Sequence, residues 1–189
     1  VPVDIPFTAK MRLGINDTSL AVECAQALEA GGIDELIVHG RTKLDGYRPP
    51  ARWEWIDKVS AAINIPLIAN GEVWTVEDFV RCQQETGCPD IMLGRGAIAD
   101  PLLARRVRGE AVDGWAEVAP GVAAYWLGVR RKVVAGHAGG RIKQWLALLR
   151  RTYPEAEVLY QRVRTLKSAN EIDAALLDAG ILTELPLAA

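Results

Sequence analysis

Three cysteines, two histidines and no apolar run of membrane-spanning length are what this 189-residue chain has least of. Cys24, Cys82 and Cys88 are odd in number and lack metal-ligand spacing, which argues against a disulfide framework or a zinc site. Cys24 and Cys82 fall in helical patterns, and all three are expected as buried, reduced thiols without a chemical role. With His39 and His137 the only imidazoles, no metal site is expected. No apolar run approaches the ~18–20 residues of a membrane span, and the N-terminus has no charged-then-apolar secretion signal. A cytoplasmic protein without a membrane partner is the expectation. What remains is ordinary for a globular chain, 50% hydrophobic and 24% charged.

The net charge of −2 is unevenly spread. Residues 115–168 carry ten Lys/Arg against three Asp/Glu, a local net of +7, while residues 1–114 carry 12 against 17 and residues 169–189 carry none against four. A basic segment in a mildly acidic chain points either to a polyanionic partner or to a solvated helix face.

Short apolar runs ending in polar or glycine residues recur every ~25–30 residues, the length of a strand-helix unit with right-handed parallel crossovers. The expected strands are Phe7–Met11, Glu35–His39, Leu67–Asn70 and Ile91–Leu93. The helices between them are expected from Asp17-Thr18-Ser19 to Ala30, from Arg52 to Ile63 and from Thr75 to Thr86. Four such units begin an open doubly wound sheet or form half of an eightfold barrel. Lys10, His39-Gly40-Arg41, Asn70-Gly71-Glu72 and Gly94-Arg95-Gly96 stand at the four strand ends, where barrels assemble their sites, and this favours the barrel. Four strands cannot close one. Either a further half-barrel lies upstream or a second copy covers the open edges; the missing initiator Met favours a fragment.

From Trp115 onward the pattern turns helical, with helices expected over Trp115–Ala135, Arg141–Arg151, Glu155–Lys167 and Ala169–Ala179. Gly136–Gly140 reads as a connector and Glu184-Leu185-Pro186-Leu187 as a frayed tail. The expected architecture is therefore α/β: residues 1–112 as the C-terminal half of a TIM (β/α)8 barrel, then residues 113–189 as an all-α helical bundle.

Asn70-Gly71-Glu72 and Gly94-Arg95-Gly96 set bare backbone amides beside an amide, a carboxylate and a guanidinium, a pattern suited to phosphate. Lys10 either holds an anion or electron-rich carbonyl, or snorkels to the rim. His39 either hydrogen-bonds a ring or phosphate, or is structural. Trp53, Trp55 and Trp74 read as helix-sheet packing, and Tyr47-Arg48 as a loop within reach of a ligand.

Four segments, Lys10-Met11-Arg12-Leu13-Gly14, Val38-His39-Gly40-Arg41-Thr42, Ile68-Ala69-Asn70-Gly71-Glu72 and Met92-Leu93-Gly94-Arg95-Gly96-Ala97, together resemble the tRNA-dihydrouridine synthases. Arg141-Ile142-Lys143-Gln144-Trp145-Leu146 and Gly46-Tyr47-Arg48 are most similar to the dihydrouridine synthase C subgroup, which acts on the tRNA D-loop, with U16 the candidate position. The resemblance implies a cofactor, FMN, held by Lys10, His39, Asn70, Gly71, Glu72, Gly94 and Arg95. It further implies NADPH as reductant, hydride transfer to the uracil C5=C6 bond and a cysteine general acid. Arg141, Lys143, Arg164 and Arg150 would contact tRNA. It covers only the C-terminal portion of the family pattern, and none of the three cysteines matches the general acid's context. This chain alone is thus expected to be inactive. Two other readings stand beside it: a non-catalytic tRNA-binding half-barrel, and a piece of another FMN- or phosphate-binding barrel enzyme.

Overall fold

The structure, a computed structural model, describes residues 5–184; the expected tail beyond Glu184 lies outside the described residues. The chain divides into two compact units at Gly96/Ala97. In the first, β1 (Thr8–Arg12), β2 (Glu35–His39), β3 (Leu67–Asn70) and β4 (Ile91–Met92) form one parallel sheet in the order β1-β2-β3-β4. Helices α1 (Ala21–Ala30), α2 (Trp53–Ser60) and α3 (Val76–Thr86) connect successive strands. Strand alternation sorts the side chains by face. Leu36, Val38 and Ala69 are fully buried in one core with Ile56 and Val59 of α2 and Cys82 of α3. The opposite face carries Lys10, Arg12, Ile37, His39, Ile68, Asn70 and Met92.

Two expectations about this unit change. β1 runs on to Arg12, so Lys10 is mid-strand and exposed, and Arg12 rather than Lys10 ends the strand. Cys24 is exposed, because α1 buries Ala21 and Ala25 instead; Cys82 and Cys88 are buried as expected. Burial pushes the Cys82 thiol up to about 12, which leaves it protonated and unreactive.

The second unit begins at Ala97, so residues 97–112, expected with the sheet, pack with the helices instead. Buried Asp100 explains this: it accepts a hydrogen bond from the Tyr153 hydroxyl and pairs with Arg106 at 3.0 Å. After the short helices α4 (Arg95–Ala99), which spans the division, and α5 (Leu103–Val107) come α6 (Trp115–Lys132), α7 (Ala135–Leu149), α8 (Pro154–Val163) and α9 (Ala169–Asp178). Helix α7 packs against α6, α8 and α9. Trp126 lies in the middle of this core, and its indole N–H donates to Asp173 at 2.7 Å.

Helix α7 begins six residues before the expected Arg141, absorbing the stretch from Gly136 to Gly140. Glycine's poor helix propensity is overridden by packing. A Cβ on Gly139 would stand 3.0 Å from Ile172 Cδ1, so its bareness lets α9 approach closely. Among the described residues no helix is long and apolar enough to cross a membrane.

Candidate functional site

The sheet face opposite α1–α3 opens into a cavity of about 440 Å³ at the C-terminal strand ends. Lys10, His39, Asn70, Gly71, Glu72, Gly94 and Arg95, the seven residues singled out from sequence, all line it. They come together because Arg12, His39, Asn70 and Met92 are register partners across the four strands. This row carries the side chains to one level, and the loops after β3 and β4 close around it. Asn70 Nδ2 donates to Met92 O at 2.7 Å, tying β3 to β4 at the floor.

Sequence reading gives Arg12 no role, places Arg41 at a strand end without a function, takes Trp74 for helix-sheet packing and gives Tyr47 little weight; all four line the cavity. Arg12 donates to the carbonyls of Thr42 at 2.8 Å and Gly46 at 3.0 Å, which fixes the loop after β2. Arg41 is 1% exposed, donates from Nε to Arg48 O at 2.7 Å and forms an ion pair with Glu72. Glu72 also accepts the Trp74 indole N–H at 3.0 Å. Arg95 lies over both the Tyr47 and Trp74 rings, 4.9 and 5.1 Å from their centroids. The period-two alternation of β1 was the available signal for Arg12, which must share a face with Lys10.

Backbone shape matters at two places. Gly71 has φ +121°, and a Cβ there would lie 3.0 Å from the His39 ring, so Gly71 lets the imidazole stack down onto the loop. A Cβ on Gly96 would lie 2.1 Å from Val73 O, so the loops after β3 and β4 interlock through bare backbone. By contrast, nothing lies within 4 Å of a Cβ on Gly94, which leaves its main chain open to a ligand.

Lys10, Arg12, Arg41 and Arg95 face a single lining carboxylate, Glu72, which Arg41 already neutralises. The remaining field is positive. Desolvation first, then the charges of Arg12, Arg41, Lys10 and Arg95, push His39 down from 6.5 to about 4. His39 is therefore a neutral imidazole at physiological pH. Between about pH 6.5 and about 4 the unfolded chain takes up this proton and the folded chain does not. Stability from His39 is complete above that window and falls as pH drops through it. Urea denaturation across this range is expected to show wild-type stability declining relative to His39→Asn; parallel curves would contradict the assignment.

In the helical unit, the four cations expected at RNA differ in availability. Lys143 donates to Leu166 O, and Arg150 pairs with Glu157 at 2.9 Å while covering the Tyr160 ring. Arg164 donates to Gln161 at 3.1 Å. Arg141 is exposed and makes no hydrogen bond or ion pair among the described residues. It lines a shallow groove of about 300 Å³ with Ile98, Tyr125, Gln144, Trp145 and Leu148. Tyr125 and Trp145 meet edge to face at 4.9 Å, and the Trp145 indole N–H is held by Ile98 O at 3.1 Å. Arg141 and Lys143, two residues apart on α7, diverge around the helix, whereas Arg141 and Trp145 share a side.

Among the described residues no cluster of three His, Cys, Asp or Glu could hold a metal ion. The family model described as "Dihydrouridine synthase (Dus)" matches residues 2–172. A tRNA-dihydrouridine(16) synthase of Cupriavidus necator is 47% identical over 182 residues, covering 93% of this chain and 56% of that protein. Proteins of the same name from Aquipseudomonas alcaligenes and Ralstonia nicotianae are 47% and 48% identical, with 58% and 54% of their lengths covered. The chain thus spans little more than half the length of these curated relatives, and it belongs to the dihydrouridine synthase family.

Proposed function

We propose that this chain is the C-terminal part of a flavin-dependent tRNA-dihydrouridine synthase, acting on position 16 as the relatives' names specify, with its sheet forming half of a (β/α)8 barrel. The observation that carries the proposal is the convergence of four cations, neutral His39 and two glycine-bearing loops on one cavity at the strand ends. Parallel strands in sequence order, with no reversal, support a barrel over a doubly wound sheet. Partly exposed Ile37 and Ile68 lie on the sheet face that a closed barrel would fill. The upstream half-barrel of the whole protein is the partner we assign to that face and to the edges of β1 and β4.

The cavity fits FMN by its chemistry. A phosphate needs cations and unobstructed amides, which Arg95 and the open main chain at Gly94 supply beside Gly71. A polar, electron-rich ring system needs donors, which Lys10, His39 and Asn70 supply. The Lys10 ammonium has only the Met92 thioether as a hydrogen-bond partner among the described residues, so its stronger bonding capacity is unused. FMN held by these residues would supply the redox chemistry, carrying a hydride from NADPH to the uracil C5=C6 bond, with the balancing proton coming from a general acid that this chain does not place in the cavity. Glu72 and Trp74 anchor the phosphate-side loop, and Tyr47 and Trp74 orient the Arg95 guanidinium. None of Cys24, Cys82 and Cys88 lines the cavity, so the chain by itself is expected not to form dihydrouridine.

The helical unit is assigned to tRNA. Arg141 beside the Tyr125–Trp145 pair combines a phosphate-binding charge with aromatic surface, the two elements of single-stranded RNA binding. Arg164 is next in availability, while Lys143 and Arg150 must first release their internal partners. Fluorescence anisotropy with labelled tRNA across a salt series tests this. Arg141→Ala is expected to weaken binding and to lower the salt slope by about one. An unchanged slope would remove Arg141 from the interface.

A further inference from the structure

We infer that Arg41 is a positioning residue that holds His39 as its Nδ1–H tautomer, so that the imidazole offers the cavity a hydrogen-bond donor without a charge. A guanidinium has N–H donors and no acceptor. Arg41 Nη1 lies 3.3 Å from His39 Nε2, and this contact is attractive only if Nε2 presents its lone pair. The ring proton of the neutral imidazole must then sit on Nδ1.

Arg41 cannot readily turn away from this task. Its Nε is committed to Arg48 O at 2.7 Å, its Nη2 to Glu72, and the side chain is 1% exposed. The imidazole is pinned as well. The Cδ2–Nε2 edge faces Gly71, where an added Cβ would come within 3.0 and 3.3 Å of those atoms. Nδ1 is left without a partner among the described residues, yet it is not a buried orphan, so it retains access to the cavity that His39 lines.

The chemical consequence concerns what can sit opposite. A ligand atom meeting His39 must be an acceptor, such as a carbonyl oxygen or an unprotonated ring nitrogen. A group that needs an imidazolium, or a base to take its proton, finds neither. The tautomer is a property of this chain alone; that the acceptor belongs to a flavin rests on the proposed function.

Having only two histidines makes the test clean. Long-range proton–nitrogen NMR correlation of the uniformly ¹⁵N-labelled chain at neutral pH reads the protonation of each ring nitrogen, and His137→Asn assigns the signals. His39 is expected to show a protonated, pyrrole-like Nδ1 and a pyridine-like Nε2. A protonated Nε2, an averaged mixture or an imidazolium in the wild type would overturn the inference, whatever any variant does. Arg41→Met is expected to shift the tautomer ratio toward Nε2–H by at least about tenfold, the scale of losing a charge-assisted hydrogen bond. Arg41→Met/Glu72→Gln serves if the single variant leaves Glu72 too poorly paired to fold. Persistence of Nδ1–H in either folded variant would overturn the role given to Arg41. Added FMN is expected to move the Nδ1 resonances. If it leaves them unmoved while the tautomer is as expected, the flavin reading fails and the tautomer stands.

Discussion

Glu72→Ala is expected to lower the unfolding free energy by about 3 kcal/mol, near the low end of the cost of breaking a buried ion pair. The loss comes mainly from Arg41, which is 1% exposed and would keep its charge without its carboxylate. Burial, with Arg95 and Arg12 close by, already holds the Arg41 pKa below its ordinary value. The low end applies because the Glu72 side chain is 24% exposed, so water partly replaces it. The indole N–H of Trp74 loses its bond to Glu72 in the same change. Glu72 has a second oddity, a φ of +63°, which costs an L-residue about 1–2 kcal/mol. Glu72→Gly therefore relieves that strain and is expected to be about 1 kcal/mol less damaging than Glu72→Ala. Urea denaturation of the three proteins separates the terms. Equal losses in the two variants would mean that the backbone at residue 72 is unstrained.

Gly96→Ala is expected to cost about 3 kcal/mol, at the top of the range for overpacking. Its Cβ would stand 2.1 Å from Val73 O and 3.2 Å from Trp74 Cα, all main chain, and main chain has no rotamer by which to yield. Gly94→Ala, two residues earlier, is the informative contrast. A Cβ there meets nothing within 4 Å, so stability is expected to stay within about 0.5 kcal/mol of wild type. Gly94 lines the cavity assigned to FMN, so the added methyl is expected to lower FMN affinity. Thermal denaturation together with FMN titration of both variants checks the pair. A stable Gly96→Ala or an unstable Gly94→Ala would contradict the interlocked-loop geometry.

Much of this site was legible in the residue order. The two glycine turns and the strand ends at His39 and Asn70 follow from short apolar runs cut off by residues that favour turns. Arg12 was missed because the strand was ended at Met11. The alternation continues one residue further, on an edge strand whose exposed residues give little hydrophobic signal. Arg41 was visible beside His39, but its role depends on a turn at Gly40 that bends it back toward the imidazole, and no local pattern encodes that. The glycines of α7 pattern as a connector in the sequence because their reason for being helical, the approach of Ile172, is some thirty residues away in the chain. The same holds for residues 97–112, whose placement is set by the distant contact of Asp100 with Tyr153. In each case the missing information was tertiary, a neighbour remote in sequence that overrides local preference.

The cavity between the two glycine loops is assigned here to the phosphate end of a flavin. Titrating the chain in parallel with FMN and with riboflavin, which lacks only the phosphate, tests it most directly. FMN is expected to bind at least about tenfold more tightly, with the advantage lost in Arg95→Ala and shrinking as salt is raised. Equal affinities, binding of neither flavin, or an FMN advantage untouched by Arg95→Ala would contradict the account.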